Sequence, residues 1–216
     1  PSRNSGSRGI AKVVKNIAKE DFMKLYEAAL NESRDSSVLI EQFIEGPEFS
    51  VEIIVWEGKV YVLQVTDKKT TGAPHFVELG HNQPSCFSDN IVTIVKDAAV
   101  RGVKALGVDK CACHAEVKIM DSKAYLMEVG ARMGGDFIST VLTQLSTGVD
   151  MVAAAINCAL NIEPNLEPQT ATQGVCIRYF CPNPGRLVCI SNTEVLNDPQ
   201  VYESEIYCKL GDVIPE

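Results

Sequence analysis

The spacing of apolar residues predicts four helices. In "AKEDFMKLYEAALNES" the apolar positions recur every three or four residues, as one buried helix face requires, at Phe22, Leu25, Tyr26, Ala29 and Leu30. "DNIVTIVKDAAVRGVKALG" predicts a second amphipathic helix that ends at Gly107. "GDFISTVLTQLSTG" and "VDMVAAAINCAL" predict two more helices later in the chain.

Alternation of apolar and polar residues predicts strands. Apolar residues stand at every second position from Phe49 to Val55, which leaves Glu48, Ser50 and Glu52 on the opposite face of that strand. A turn follows and leads into a second strand, "VYVLQVT". Further strands are predicted in the short runs "IAKVV" and "VLIEQFI", and a small antiparallel sheet is predicted in the tail "GVCIRYFCPNPGRLVCI".

Between these elements, "DKKTTGAPHFVELGHNQPSCFSDN" has little periodicity and many turn-forming residues. Irregular stretches of this length within a compact domain are often functional. We therefore predict a loop on the substrate side, in which residues 70–85 help to choose the substrate.

Two acids stand in neighbouring apolar runs of "HAEVKIMDSKAYLMEVGARMGG". If "DSK" is a three-residue hairpin loop, Met120 faces Ala124, and Glu116 then faces Glu128 on the same side of the two strands. Like charges directly opposite each other repel, so a cation between them is expected. A hard divalent cation such as Mg²⁺ takes carboxylate oxygens and completes its shell with phosphates and water.

The spacing alone leaves a second interpretation open. One of the two acids then points to solvent or pairs with Lys118, and a register change of one residue would separate the acids. Arg132 lies four residues after Glu128 in the sequence, just before the predicted start of a helix. Its forked donors suit a carboxylate or an acyl phosphate, although a surface salt bridge is the commoner role.

Composition and charge narrow the classes of function. The 216 residues carry a formal net charge of −8, without a basic stripe, so nucleic acid is not an expected partner. The sequence shows neither a membrane-spanning apolar run nor a signal peptide, which predicts a cytoplasmic protein. The eight cysteines, including the cluster "CACH", are interpreted as buried reduced thiols because no matching pair of zinc ligands follows.

Three separated motifs resemble those of the ATP-grasp superfamily. They are "SGSRG", "VLIEQFIEGPEFSVE" and "HAEVKI…AYLMEVGARMGG", and they occur in the expected order. The chain is most similar to carboxylate–amine ligases of the biotin carboxylase and phosphoribosylglycinamide synthetase branch. The resemblance implies an α+β ATP-grasp fold of antiparallel sheets with flanking helices, which uses ATP and Mg²⁺ or Mn²⁺.

The resemblance also implies a domain organisation. Residues 1–164 would form the nucleotide-binding region, divided into a partial first half (1–40) and a second half (41–164). Residues 165–216 would form a small β cap. The N-terminal domain and part of the first ATP-grasp half would lie before Pro1, so the chain is expected to be the inactive C-terminal part of a longer enzyme.

Individual roles follow from the same resemblance. Glu116 and Glu128 would bind the metal, and Arg132 would be catalytic. The remaining candidates would bind ATP: Glu41, Gln42, Phe43 and Ile44 at the adenine, Glu48 at the ribose, and Ser7, Arg8 and Lys68 or Lys69 at the phosphates. Gly130 departs from the pattern, because many relatives carry Asn there as an extra metal ligand.

The expected reaction activates a carboxylate as an acyl phosphate, which an amine then attacks to give an amide, ADP and phosphate. The partners would be a small-molecule carboxylate and amine, with a homodimer left open and no membrane or nucleic acid. Two alternatives remain: another ATP-grasp reaction, such as bicarbonate activation or phosphoribosylamine ligation, and a non-catalytic nucleotide-binding module.

Overall fold

The computed structural model describes residues 8–73, 76–168 and 173–214. They divide into two compact units, the first of which ends at Tyr179 and the second of which begins at Phe180. The predicted boundary after residue 164 therefore lies inside the first unit. The roles of the two regions, nucleotide binding and cap, stay predictions.

The first unit contains a six-stranded sheet in the order β5-β4-β1-β2-β3-β6. Every neighbouring pair is antiparallel. The strands are β1 (Glu48–Trp56), β2 (Lys59–Thr70), β3 (Glu78–Gln83), β4 (Cys111–Met120), β5 (Lys123–Gly130) and β6 (Val175–Arg178).

Helices flank this sheet, as the predicted α+β class requires. α2 (Asp89–Ala105), α3 (Thr143–Thr147) and α4 (Met151–Ala159) contact its strands, and α1 (Lys19–Glu32) precedes the sheet in the chain. A π-helical turn, Ile138–Leu142, runs directly into α3, so the third predicted helix is present but irregular. The other three helices are confirmed at the predicted places.

One face of the sheet is apolar. Phe49 and Val51 of β1 are fully buried and belong to a core that includes Val95, Ala99 and Val103 of α2. This packing explains the amphipathic pattern of α2, because its apolar stripe is the surface that covers the sheet.

The other face changes character along β1. Ile54 and Trp56 pack in an apolar cluster with Met151 of α4, but Ser50 and Glu52, farther along the same face, are buried polar residues. We call this second region the polar face. It also carries Lys68 of β2, His81 of β3, and His114 and Glu116 of β4, because these positions are register partners across the strands.

Two predicted strands do not form. Neither "IAKVV" nor "VLIEQFI" has regular secondary structure, and Leu39 and Ile40 are 69% and 71% exposed. The apolar content of these runs predicted burial in a sheet. Among the described residues, however, no strand lies alongside to accept their backbone hydrogen bonds, and the prediction of a buried strand was wrong.

The predicted substrate-side loop contains parts of two strands. β2 continues to Thr70, and β3 occupies the middle of the segment. The periodicity was hidden because β3 buries His81 and Gln83, which are polar. The tail also differs from the prediction, since β6 pairs with β3 rather than with the rest of the tail.

The second unit contains a two-stranded sheet and a short 3-10 helix. The strands are β7 (Gly185–Arg186) and β8 (Val213–Ile214), and the helix is Thr193–Asn197. All eight cysteines are free, but only Cys113 and Cys158 are buried. The prediction of buried thiols was therefore wrong for the other six. Within the described ranges, no helix is long and apolar enough to cross a membrane.

Candidate active site

The hairpin of β4 and β5 brings the two acids together. Its turn contains two residues, Asp121 and Ser122, both with positive φ, so Met120 pairs with Lys123 and not with Ala124 as predicted. A β-bulge between Glu116 and Val117 then shifts the register by one residue, and Glu116 is the partner of Glu128. The facing pair is confirmed, although the predicted turn was wrong.

Glu116 is held as an anion by two cations. Lys68 Nζ lies 2.8 Å from Glu116 Oε1, and His114 Nε2 lies 3.5 Å from the same oxygen. Burial alone raises the pKa of Glu116, but the hydrogen bond to His114 and the charge of Lys68 together lower it to about 2. The carboxylate is therefore charged at neutral pH and suited to a cationic ligand.

Lys68 links three carboxylates. Its Nζ lies 2.8 Å from Glu48 and Glu116 and 3.2 Å from Glu78, and its side chain is only 5% exposed. Burial by itself lowers the pKa of Lys68, but Glu116 and Glu48 overcome this effect and raise it. Lys69, the other predicted candidate, is exposed.

Glu128 is more exposed than Glu116. Its side chain is 58% exposed and accepts a hydrogen bond from Arg132 Nη2 at 3.3 Å. Arg132 also donates to the carbonyl oxygen of Met133 at 3.0 Å. Its side chain lies over Gly130, where an added Cβ would be 3.1 Å from Arg132 Cγ. The arginine side chain thus lies where a side chain at position 130 would otherwise be placed.

Glu52 and His114 form a buried pair that the sequence analysis did not single out. Glu52 Oε1 lies 2.6 Å from His114 Nδ1, and Glu52 Oε2 accepts hydrogen bonds from Ser139 Oγ at 2.6 Å and Gly134 N–H at 3.3 Å. Burial lowers the pKa of His114, but hydrogen bonds to Glu116 and Glu52 raise it to about 9.

The pair also explains a glycine. A Cβ on Gly134 would lie 2.6 Å from His114 Nδ1, so the loop can approach the pair only with glycine at that position. The available signal in the sequence was the alternation that places Glu52 on the same face as Glu48. The pairing with His114 depends on strand register, which that alternation does not specify.

The predicted adenine segment, 41–44, approaches the site through Lys118. Lys118 Nζ donates to the carbonyl oxygen of Ile44 at 3.4 Å and lies 5.3 Å from the centroid of the Phe43 ring. Glu41 and Gln42 are exposed. The predicted phosphate flap lies at the edge of the described residues: Arg8 is exposed, and Ser7 lies outside them.

The donor set fits a magnesium ion. Glu116 and Glu128 face each other across two strands, and each is neutralised by a separate cation, Lys68 or Arg132. Two carboxylates supply the oxygen ligands that Mg²⁺ prefers and leave positions for phosphate oxygens and water. Glu48, Lys68 and Glu116 are joined directly, so the predicted ribose, phosphate and metal residues form one cluster.

A family model described as the ATP-grasp domain matches residues 1–141. The chain belongs to the ATP-grasp domain family. The predicted resemblance and fold class are thereby confirmed. Carnosine synthase 1 of Gallus gallus is 28% identical over 147 residues, which are 68% of this chain and 16% of that protein.

Solved structures with an ATP-grasp fold superpose on most of the chain. An L-amino acid ligase from Bacillus licheniformis gives a TM-score of 0.68 at 26% identity, over 82% of this chain and 46% of that one. A phosphoribosylglycinamide synthetase from Anaerococcus prevotii gives 0.67 at 21% identity, over 93% and 53%. This ATP-grasp chain therefore spans only part of the length of each relative.

Proposed function

We propose that the protein containing this chain is an ATP- and Mg²⁺-dependent ligase that joins a carboxylate to an amine. The carboxylate oxygen attacks the γ-phosphorus of ATP, ADP leaves, and the amine then displaces phosphate from the acyl carbon as it loses a proton. The observation that carries this proposal is the opposed pair Glu116 and Glu128, connected through Lys68 to Glu48. Ligase and synthase relatives support it.

Glu116 and Glu128 would hold Mg²⁺ through their carboxylate oxygens. The ion would neutralise phosphate charge during phosphoryl transfer. With the ion in place, Lys68 and Arg132 would not have to neutralise these two acids alone. Lys68 would then be available to phosphate oxygens as a point charge, and Arg132 to the transferring phosphoryl group as a two-pronged donor.

His114 and Glu52 would orient the site rather than react. His114 contacts both Glu52 and Glu116, so it fixes the position of a metal ligand relative to the sheet. Glu52 also binds Ser139 and Gly134, and so ties the loop after β5 to the same point. The segment 41–44 and Glu48 would bind the adenine and ribose of ATP.

A second candidate function is another ATP-grasp reaction, favoured by the structural likeness to phosphoribosylglycinamide synthetase. The test supplies the full-length protein with ATP, Mg²⁺ and, in separate reactions, amino acid pairs, bicarbonate or phosphoribosylamine. ADP release and amide product with amino acid pairs are expected. ADP release only with bicarbonate or phosphoribosylamine would contradict our assignment. ATP binding without turnover on any substrate would identify a non-catalytic module.

We also propose that residues 1–216 alone do not catalyse ligation. The chain spans 53% of the phosphoribosylglycinamide synthetase structure. In-line phosphoryl transfer requires accurate positioning of the reacting groups, and a misplacement of about 1 Å can lower the rate roughly a hundredfold. ADP formation by this chain and by the full-length protein should be compared on the same substrates. Equal rates would show that the site is complete within these residues.

A further inference from the structure

A second group of possible metal ligands lies on the polar face, beside β3. Glu78 and His81 belong to β3, and Asp136 lies in the loop between β5 and the π-helical turn. One ligand atom from each residue lies within 4.8 Å of the other two. None of the three is part of the proposed magnesium pair.

His81 is the feature that indicates a missing partner. Its side chain is fully buried, and neither ring nitrogen has a hydrogen-bond partner among the described residues. A buried polar atom without a partner loses its hydration without compensation, so it requires an explanation. Nε2 lies 3.5 Å from Asp136 Oδ2 but forms no hydrogen bond with it.

The ring is in the form that binds metals. Burial is the main reason that the pKa of His81 falls to about 4, so the imidazole is neutral at physiological pH. A neutral imidazole offers a lone pair to a metal, whereas a protonated ring does not. His81 therefore cannot form a charged pair with Asp136 near neutral pH.

The two carboxylates show the same need for a cation. The neighbouring Asp136 carboxyl and partial burial both raise the pKa of Glu78. The two acids therefore disfavour a second negative charge at this place, which a divalent cation would compensate. Lys68 lies closer to Glu48 and Glu116 than to Glu78, so it compensates this acid least.

From these contacts we propose that Glu78, His81 and Asp136 bind a divalent transition-metal ion of the Zn²⁺ class. Ligand atoms about 2.0 to 2.2 Å from Zn²⁺ lie at most about 4.4 Å apart, so only small side-chain movements are needed. The nitrogen donor favours Zn²⁺ over Mg²⁺, which prefers oxygen. The ion would join β3 to the loop that contains Asp136.

The site has a path for entry. The side chains of Glu78 and Asp136 are 37% and 42% exposed, so an ion can reach them from solvent and then contact His81 beneath. Asp136 and the next residue, Phe137, both have positive φ, and Tyr179 Oη donates to the Asp136 carbonyl oxygen at 3.3 Å. These features hold the Asp136 carboxylate beside β3.

The test is calorimetric titration of the chain with Zn²⁺ in excess Mg²⁺, after its exposed thiols have been alkylated. Wild-type protein should bind one ion. His81→Asn should weaken binding at least about tenfold, since loss of even an outer partner of a metal ligand commonly costs that much. Glu128→Gln is the matched control, because it removes a ligand of the proposed magnesium site and should leave Zn²⁺ affinity unchanged.

His81→Asn changes a buried residue and requires a second variant in case it does not fold. Asp136→Asn alters an exposed side chain of the same site, and circular dichroism would verify its fold. We expect at least about a tenfold loss of Zn²⁺ affinity here as well. The proposal is overturned if wild type does not bind Zn²⁺, if Asp136→Asn binds it normally, or if Glu128→Gln abolishes binding. The last result would place the ion at the magnesium pair.

Discussion

The two faces of the central sheet bury side chains of opposite kinds. On the apolar face, Phe49 and Val51 contact the core that α2 completes. On the polar face, Glu52 and His114 are equally inaccessible, at 0% and 4% exposure, but carry charge. Both faces are built from the same strands, because alternate residues of β1 and β4 point in opposite directions.

Burial has different energetic consequences on these faces. Each large apolar side chain removed from water stabilises the fold by about 1.5 to 3 kcal/mol. A buried ion pair contributes little net stability, because its desolvation offsets its attraction. The charged residues of the polar face are therefore not explained by stability, which is consistent with a role in binding and catalysis.

The largest expected effect is the loss of activity in Glu128→Gln. We expect it to abolish Mg²⁺-dependent ADP release by the full-length protein, because it removes one charge of the proposed metal pair. Its ion pair with Arg132 is exposed, so the free energy of unfolding should change by less than about 1 kcal/mol. Glu27→Gln on the exposed side of α1 is the control. Normal ADP release at saturating Mg²⁺ would refute the metal assignment.

On the apolar face, Phe49→Ala should mainly lower the stability of the fold, in contrast to Glu128→Gln. Phe49 is fully buried and packs edge to face on Phe87, with ring centroids 4.9 Å apart. We expect a loss of about 3 to 5 kcal/mol in the free energy of unfolding, measured with urea. Phe180→Ala, at a side chain that is 90% exposed, should change it by less than about 0.5 kcal/mol. Similar losses in both variants would contradict the predicted difference.

Arg132→Lys tests an exposed residue that contacts Glu128. Lysine keeps the charge but not the forked donor, so turnover should fall by an amount equivalent to about 2 to 4 kcal/mol of transition-state stabilisation. Nucleotide affinity, measured separately, should be nearly unchanged. Arg101→Lys on α2 serves as the control. Weaker nucleotide binding with normal turnover would assign Arg132 to the nucleotide instead.

The smallest effect concerns pH. The pKa of His114 is raised from 6.5 to about 9, so the folded state binds this proton more tightly than the unfolded state. Its contribution to stability is complete below pH 6.5 and is lost as the pH rises through about 9. Each pKa unit corresponds to about 1.4 kcal/mol, so we expect about 3 kcal/mol from this shift.

His114→Gln should remove that alkaline loss. Urea unfolding at several pH values would then show a flatter stability profile for the variant than for wild type between pH 6.5 and 9. Glu27→Gln, which alters a distant exposed acid, should keep the wild-type slope. Equal slopes for His114→Gln and wild type would show that another group controls stability in this range.

Prediction from sequence succeeded for elements whose apolar residues lie on one buried face, because their spacing in the sequence shows that face. α2, α4 and β1 were predicted because their apolar residues face the core at helical or strand spacing. α1 was predicted from the same helical spacing, although Ala29 is its only buried residue. β3 was missed because it buries polar residues, and "VLIEQFI" was taken for a buried strand although Leu39 and Ile40 are exposed. Hydrophobic patterning cannot identify a strand whose inward residues are polar.

The candidate site was predicted in part. Glu116 and Glu128 were paired through a three-residue turn, whereas the structure combines a two-residue turn with a β-bulge to reach the same pairing. The direct contact of Lys68 with Glu48 and Glu116 was not predicted, since it depends on how β2 and β4 align on either side of β1. The individual roles of these residues stay predictions until they are tested.

The sequence by itself determined the α+β class, the main helices, the two-faced strand β1 and the family resemblance, because local spacing and motif order carry that information. Only the tertiary structure decided which titratable side chains lie close to each other. Glu52 with His114, and His81 with Asp136, are separated by more than fifty residues in sequence and brought together by strand register and a loop. Contacts of this kind depend on the whole sheet, so no local pattern specifies them.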